Sequence, residues 1–174
     1  MMNANEQQTI LQKITNENDR EIFLQQVGKA DFNVIDFAEA LGIKVIESKL
    51  PAKVGGYIVV KENQWYISVN VDNTPSRKLF IIAHELGHYF LHREILTQEQ
   101  GHIEYFIHQE QGSINDDHEE EANNFAMDLL MPKESFQSLW VGDGVKISDM
   151  SMYFGIDEGF IMQRAKQLSL CPIY

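Results

Sequence analysis

Cysteine is almost missing from this chain. Cys171 stands alone, so no internal disulfide can form and a cysteine-rich structural zinc site is excluded. A reducing, cytoplasmic setting is the simplest expectation. Basic residues are also scarce. Lys and Arg number 14 against 26 Asp and Glu, a net charge of -12, which argues against nucleic-acid phosphates as the main partner. The same charge permits a basic protein partner. No apolar run has the length needed to cross a membrane, so no membrane partner is expected. The first residues lack the basic and apolar regions of a secretory signal. Internal repeats and low-complexity tracts are missing too. Proline is rare and acts as punctuation: Pro51 in a loop, Pro75 at a helix start, Pro132 at a helix stop.

With 174 residues the chain can bury a sizeable core in one domain. Residues 1–27 read as a polar N-terminal helical extension with a weak apolar stripe of Ile10, Leu11, Ile14, Ile22, Phe23 and Val27. Residues 28–174 read as a single domain. Asp31 can cap a helix over 32–41, whose inner face is Val34, Ile35, Phe37, Ala38 and Leu41 and which Gly42 ends. Residues 43–47, 57–60 and 65–70 read as strands. Trp65, Ile67 and Val69 alternate with Tyr66, Ser68 and Asn70, the period of a strand with one buried face. A small, mainly antiparallel sheet is therefore expected, leading straight into a helix.

That helix carries the chemistry. Phe80 to His92 contains His84-Glu85-Leu86-Gly87-His88, an H-E-x-x-H motif. Four residues on a helix are about one turn, roughly 6 Å of rise, so His84 and His88 project from one face. Two such imidazoles can share a Zn²⁺ at about 2.0–2.1 Å each. Glu85 is offset from His84 by about 100° around the helix, which suits it to act on a water rather than to bind the ion. Phe80, Ala83, Gly87, Phe90 and Leu91 fall at the spacing of a half-buried helix, and Thr74-Pro75 fits an N-cap followed by proline. Gly87 costs about 1 kcal/mol in a helix interior; a close neighbour, such as a strand or a ligand, would account for it.

A catalytic zinc takes three protein ligands and leaves a position open. His92 is four beyond His88, yet about 12 Å along the axis from His84, too far to share the ion. It reads as a helix-end residue or a support for the ligands. The better source is the helix from Asp116 or Asp117 to Met131, with apolar face Ala122, Phe125, Ala126, Leu129 and Leu130. Glu119 lies inward at one side of that face, and Asn123, four residues on, can orient neighbouring groups by hydrogen bonds. Glu120 and Glu121 are the competitors. Glu120 should face solvent, and Glu121 lies about 200° from Glu119, so both cannot reach the ion.

Residues 94–117 are polar and irregular. After Pro132 come a short helix with Phe136, Leu139 and Trp140, then helices over 147–154 and 157–168 joined at Gly155. The last pair has the outline of a DNA-binding helix-turn-helix. Lys146, Arg164 and Lys166 are balanced by Asp149, Asp157 and Glu158, so it lacks a basic face, and apolar packing is the better reading.

Two motifs in order, Arg77 to His92 and Glu119-Glu120-Glu121-Ala122-Asn123-Asn124-Phe125-Ala126 through Leu129-Leu130-Met131-Pro132, after the strand Ile67-Ser68-Val69-Asn70, carry a resemblance. The sequence resembles the ImmA/IrrE family of small metallopeptidases over roughly residues 34–168. The resemblance implies a zincin-like α+β fold, with the sheet packed on the H-E-x-x-H helix, a second glutamate-bearing helix and C-terminal helices. It implies Zn²⁺ on His84, His88 and Glu119, with Glu85 as the catalytic carboxylate. It also implies a substrate, a helix-turn-helix repressor cut to release transcription.

The expected activity is thus zinc-dependent endopeptidase cleavage of such a repressor, with substrate lying extended along a sheet edge near Trp65–Asn70. Tyr89, Tyr105, His102 and His108 are candidate oxyanion stabilisers by chemistry alone. The rival is a metal-binding regulatory protein that binds a repressor without cleaving it.

Overall fold

The computed structural model describes residues 2–27, 29, 31–98, 116–141 and 144–170. Its sheet is built on a tight hairpin. Strand β2 (Gly56–Lys61) turns through Glu62 and Asn63 into β3 (Gln64–Asn70). Both turn residues have positive φ, 51° and 62°, the pairing that matches the twist of a two-residue hairpin. Strand β1 (Ile43–Ser48) lies on the other side of β3 and runs parallel to it, Ile43 opposite Trp65 and Ser48 opposite Asn70.

The strand order is therefore β1-β3-β2, a mixed sheet in which one of the two pairings is parallel rather than a mainly antiparallel one. The loop after β1 carries the chain past the gap that β3 later fills. Asn70 fixes that loop: its buried amide donates to the carbonyls of Val54 at 3.0 Å and Leu50 at 3.3 Å. A second expectation also falls. Trp65–Asn70 is the central strand, paired on both sides, so its backbone offers no free edge to an extended substrate.

The buried face of β3, Trp65, Ile67 and Val69, meets helix α4 (Pro75–Leu91). Thr74 caps α4 by accepting from the Arg77 amide at 3.2 Å, with Pro75 in the first turn. From Phe80 to Phe90 every residue of α4 is buried, because the sheet covers one side and helix α6 (Asp116–Leu130) another. Trp65 and Tyr89 meet edge to face at 5.3 Å.

The N-terminal segment forms two helices, α1 (Ala4–Leu11) and α2 (Glu17–Gln26). The break comes at Asn16, whose side chain accepts from the Asp19 amide and starts the second helix. Phe23 of α2 packs edge-on against Phe37 of α3 (Val34–Ala40), and Phe37 stacks on Phe90 of α4. These helices therefore share one core with α4. Helix α5 (Arg93–Gln98) follows α4 directly and occupies the start of the stretch expected to be irregular.

Helices α7 (Lys133–Trp140), α8 (Ile147–Phe154) and α9 (Glu158–Gln167) complete the described chain. Gly155 joins the last two with φ +67°, a backbone state that glycine adopts without steric cost. Arg164 of α9 is fully buried and pairs with Asp128 at 2.9 Å. One of the few cations of this helix pair is thus turned into the protein, away from any phosphate.

Candidate metal centre

Helix α4 presents His84 and His88 toward α6, which returns across it carrying Glu119. The close approach depends on Gly87, where an added Cβ would lie 2.9 Å from Ala122 Cα and 3.0 Å from its carbonyl oxygen. The neighbour that accounts for this glycine is a helix backbone, rather than a strand or a ligand.

Three side-chain atoms converge in the gap. His84 Nε2 and His88 Nε2 are 3.0 Å apart. Glu119 Oε2 lies 3.3 Å from His84 Nε2, and Oε1 lies 3.3 Å from His88 Nε2. Donors bound at about 2.0–2.1 Å in tetrahedral geometry stand about 3.3 Å from one another, so these spacings fit one cation among three donors. Among the described residues, His84, His88 and Glu119 are the only group of three or more His, Cys, Asp or Glu placed to hold an ion.

The outer ring nitrogens favour the same reading. His84 Nδ1 lies 3.1 Å from Asn123 Oδ1 and donates to it, since a carbonyl oxygen can only accept. His84 Nε2 then keeps its lone pair toward the cluster. His88 Nδ1 faces His92 Nδ1 at 3.0 Å, and His92 Nε2 faces Glu121 Oε2 at 3.0 Å.

Protons on the inner nitrogens are the alternative to a cation. Burial opposes this at His84, pushing its pKa below the ordinary imidazole value despite the carboxylate beside it. Where such protons are present, Glu119 gains most. Burial pushes its carboxyl up, but hydrogen bonds from His84 and His88 outweigh this and hold it well below the usual carboxylate range.

Glu85 follows His84 on α4 and is almost completely buried, 1% exposed. Glu120 and Glu121, the competitors for third position, lie elsewhere: Glu120 is exposed, and Glu121 is bound to His92. Tyr89 is not available to an oxyanion at this cluster. It packs on Trp65 and lies under the Arg93 guanidinium at 4.5 Å, while burial and then Asp19 push its phenol up to about 12. Tyr105, His102 and His108 lie outside the described residues.

Sequence reasoning missed two features. Asp19 of α2 is buried and pairs with Arg93 at 3.0 Å, tying the N-terminal helices to the end of α4; nothing in the spacing of residues so far apart announces it. The His118 ring lies tilted against that of His92, with centroids 4.4 Å apart. Its position three residues before Glu121 on one helix was the available signal.

The chain is similar to a protein of Bacillus phage phi105 described as an uncharacterized immunity region protein, with 30% identity over 100 residues, 58% of this chain. That match spans 59% of the relative's own length. The family model for the IrrE N-terminal-like domain, Peptidase_M78, matches residues 38–166, a span that runs from α3 through both histidines and Glu119 to α9. A match over that much of the sequence, enclosing the whole donor cluster, means that the chain belongs to the Peptidase_M78 family of IrrE N-terminal-like domains.

Proposed function

We propose that this protein is a cytoplasmic zinc-dependent endopeptidase that cleaves a helix-turn-helix transcriptional repressor at a specific site and so relieves repression. The convergence of His84 Nε2, His88 Nε2 and the Glu119 carboxylate carries the reading. Family membership supports peptide hydrolysis. The phage relative, named for an immunity region, supports a repressor-linked substrate. The net charge of -12 suits a basic protein segment as substrate.

Two imidazoles and one carboxylate are a donor set that suits zinc with one position left open. Bound there, Zn²⁺ supplies Lewis acidity toward the scissile carbonyl and lowers the pKa of a water to about 7. His84 is held in orientation by Asn123. Glu85 takes a proton from the attacking water and passes it to the leaving amine. Its burial on α4 keeps this carboxylate out of bulk solvent.

The test combines elemental mass spectrometry of the purified protein with intact-mass analysis of helix-turn-helix repressors incubated with it. About one zinc per chain and two repressor fragments are expected, with no fragments from Glu85→Gln. Failure to take up zinc, even when zinc is supplied, overturns the proposal. A repressor held at full length would replace it with a metal-binding regulatory protein that grips without cutting.

A further inference from the structure

His92 lies outside the donor cluster, yet it is almost as buried as the two histidine donors, at 5% exposure. It stands at the C-cap of α4, where the backbone leaves the helix (φ -123°, ψ 15°) while its amide still donates to the His88 carbonyl at 2.8 Å. That departure lets the ring turn back beside His88. The two Nδ1 atoms are 3.0 Å apart, and His92 Nε2 reaches Glu121 Oε2 at 3.0 Å.

The order of protons along this chain follows from what each group can do. An ionised carboxylate only accepts, and Glu121 Oε2 stands 3.0 Å from His92 Nε2. His92 therefore donates from Nε2. A neutral imidazole with its proton on Nε2 has a lone pair on Nδ1, so His92 accepts there, and His88 must donate from its own Nδ1. His88 Nε2 is then left with its lone pair facing His84 and Glu119. Glu121 sits two residues after Glu119 on α6. One helix thus supplies both a donor of the cluster and the terminal acceptor that orders the opposite imidazole.

We propose that His92 and Glu121 are positioning residues for the metal centre: through this relay they hold His88 in the tautomer that binds an ion and so raise the affinity of the site. This rests on the metal-binding reading above. An imidazole ligand held by its outer N–H, with a carboxylate behind, is a more basic and better oriented donor, and loss of such a partner typically lowers metal affinity about 10–100-fold.

The test measures the zinc dissociation constant of the full chain by chelator competition, together with the visible absorption of the Co²⁺-loaded protein. His92→Phe should weaken zinc about 10–100-fold and shift the Co²⁺ bands. His92→Gln, whose amide can accept from one side and donate to the other, should recover most of that affinity. Glu121→Ala, at a largely exposed position that loses the acceptor, should weaken zinc about tenfold. Wild-type affinity and Co²⁺ spectrum in His92→Phe would overturn the proposal while leaving the proposed function intact. So would a loss that His92→Gln does not recover and that accompanies a lower melting temperature of the metal-free protein, since His92 would then only fill space. If His92→Phe does not fold, Glu121→Ala decides: unchanged zinc affinity overturns the relay. A wild-type protein that binds no zinc overturns both readings.

Discussion

A methyl group on Gly87 would lie 2.9 Å from the Cα of Ala122. Helices α4 and α6 therefore touch backbone to backbone, one turn or less from His84, His88 and Glu119. Gly87→Ala gains about 1 kcal/mol of helix propensity but forces apart two backbones, an overpacking cost of about 1–3 kcal/mol. We expect a net loss of stability of about 1 kcal/mol and weaker zinc binding, because the helices that bring the donors together are separated. Denaturant unfolding and zinc titration of the variant check both; tighter or unaltered metal binding would contradict this picture of the crossing.

The two glutamates of α6 should behave differently. Glu119→Ala removes one of three converging donors, and zinc content should fall from about one per chain to near zero after dialysis. Glu121→Ala leaves those donors in place and should keep its zinc through the same dialysis, with only the weakening described for the relay. Loss of zinc in Glu121→Ala alone would exchange their assignments.

Glu85→Gln preserves volume and leaves the donor cluster untouched. Zinc content should match the wild type, and repressor cleavage should fall by about 10²–10⁴. Wild-type cleavage rates in this variant would remove Glu85 from the reaction.

Tyr89 should ionise well above the ordinary phenol range. Its phenol is pushed from 10.0 to about 12 by burial, then by Asp19. The sign follows from linkage. The unfolded chain loses this proton first, so the stabilising contribution is whole below pH 10 and is lost as pH rises toward 12. Tyr89→Phe should flatten this alkaline limb of the stability curve. A phenolate absorbance titration, beside unfolding at stepped pH, gives the comparison, and an unchanged limb would argue against a buried phenol there.

Much of this arrangement is legible in the residues themselves. Thr74-Pro75 marks the start of α4, and the alternation of Trp65, Ile67 and Val69 marks its sheet partner. The four-residue spacing of His84 and His88, with the inward side of Glu119, brings the cluster within reach of sequence reasoning. What was not legible depends on direction and distance. Side-chain alternation says which face of a strand is buried but not whether its neighbour runs parallel, so β1 was misjudged, and with it the edge assigned to Trp65–Asn70. The N-terminal segment read as one weak helix because its break rests on a single cap, Asn16. Tyr89 is chemically fit to steady an oxyanion, yet Trp65 and Arg93 hold it on another side of α4.

Helix α9 touches both arms of the donor cluster. At its start, Asp157 accepts from the hydroxyls of Thr74 and Ser76, and Phe160 stacks on Phe80 at 3.8 Å, gripping the beginning of α4. Further along, Arg164 holds the end of α6 through Asp128 and the Met131 carbonyl. A span of 10 residues thus works as a cross-brace between two levers. Glu119 stands on one and the two histidines on the other. The last described helix thus contributes no donor to the cluster, yet it fastens both of the helices that do.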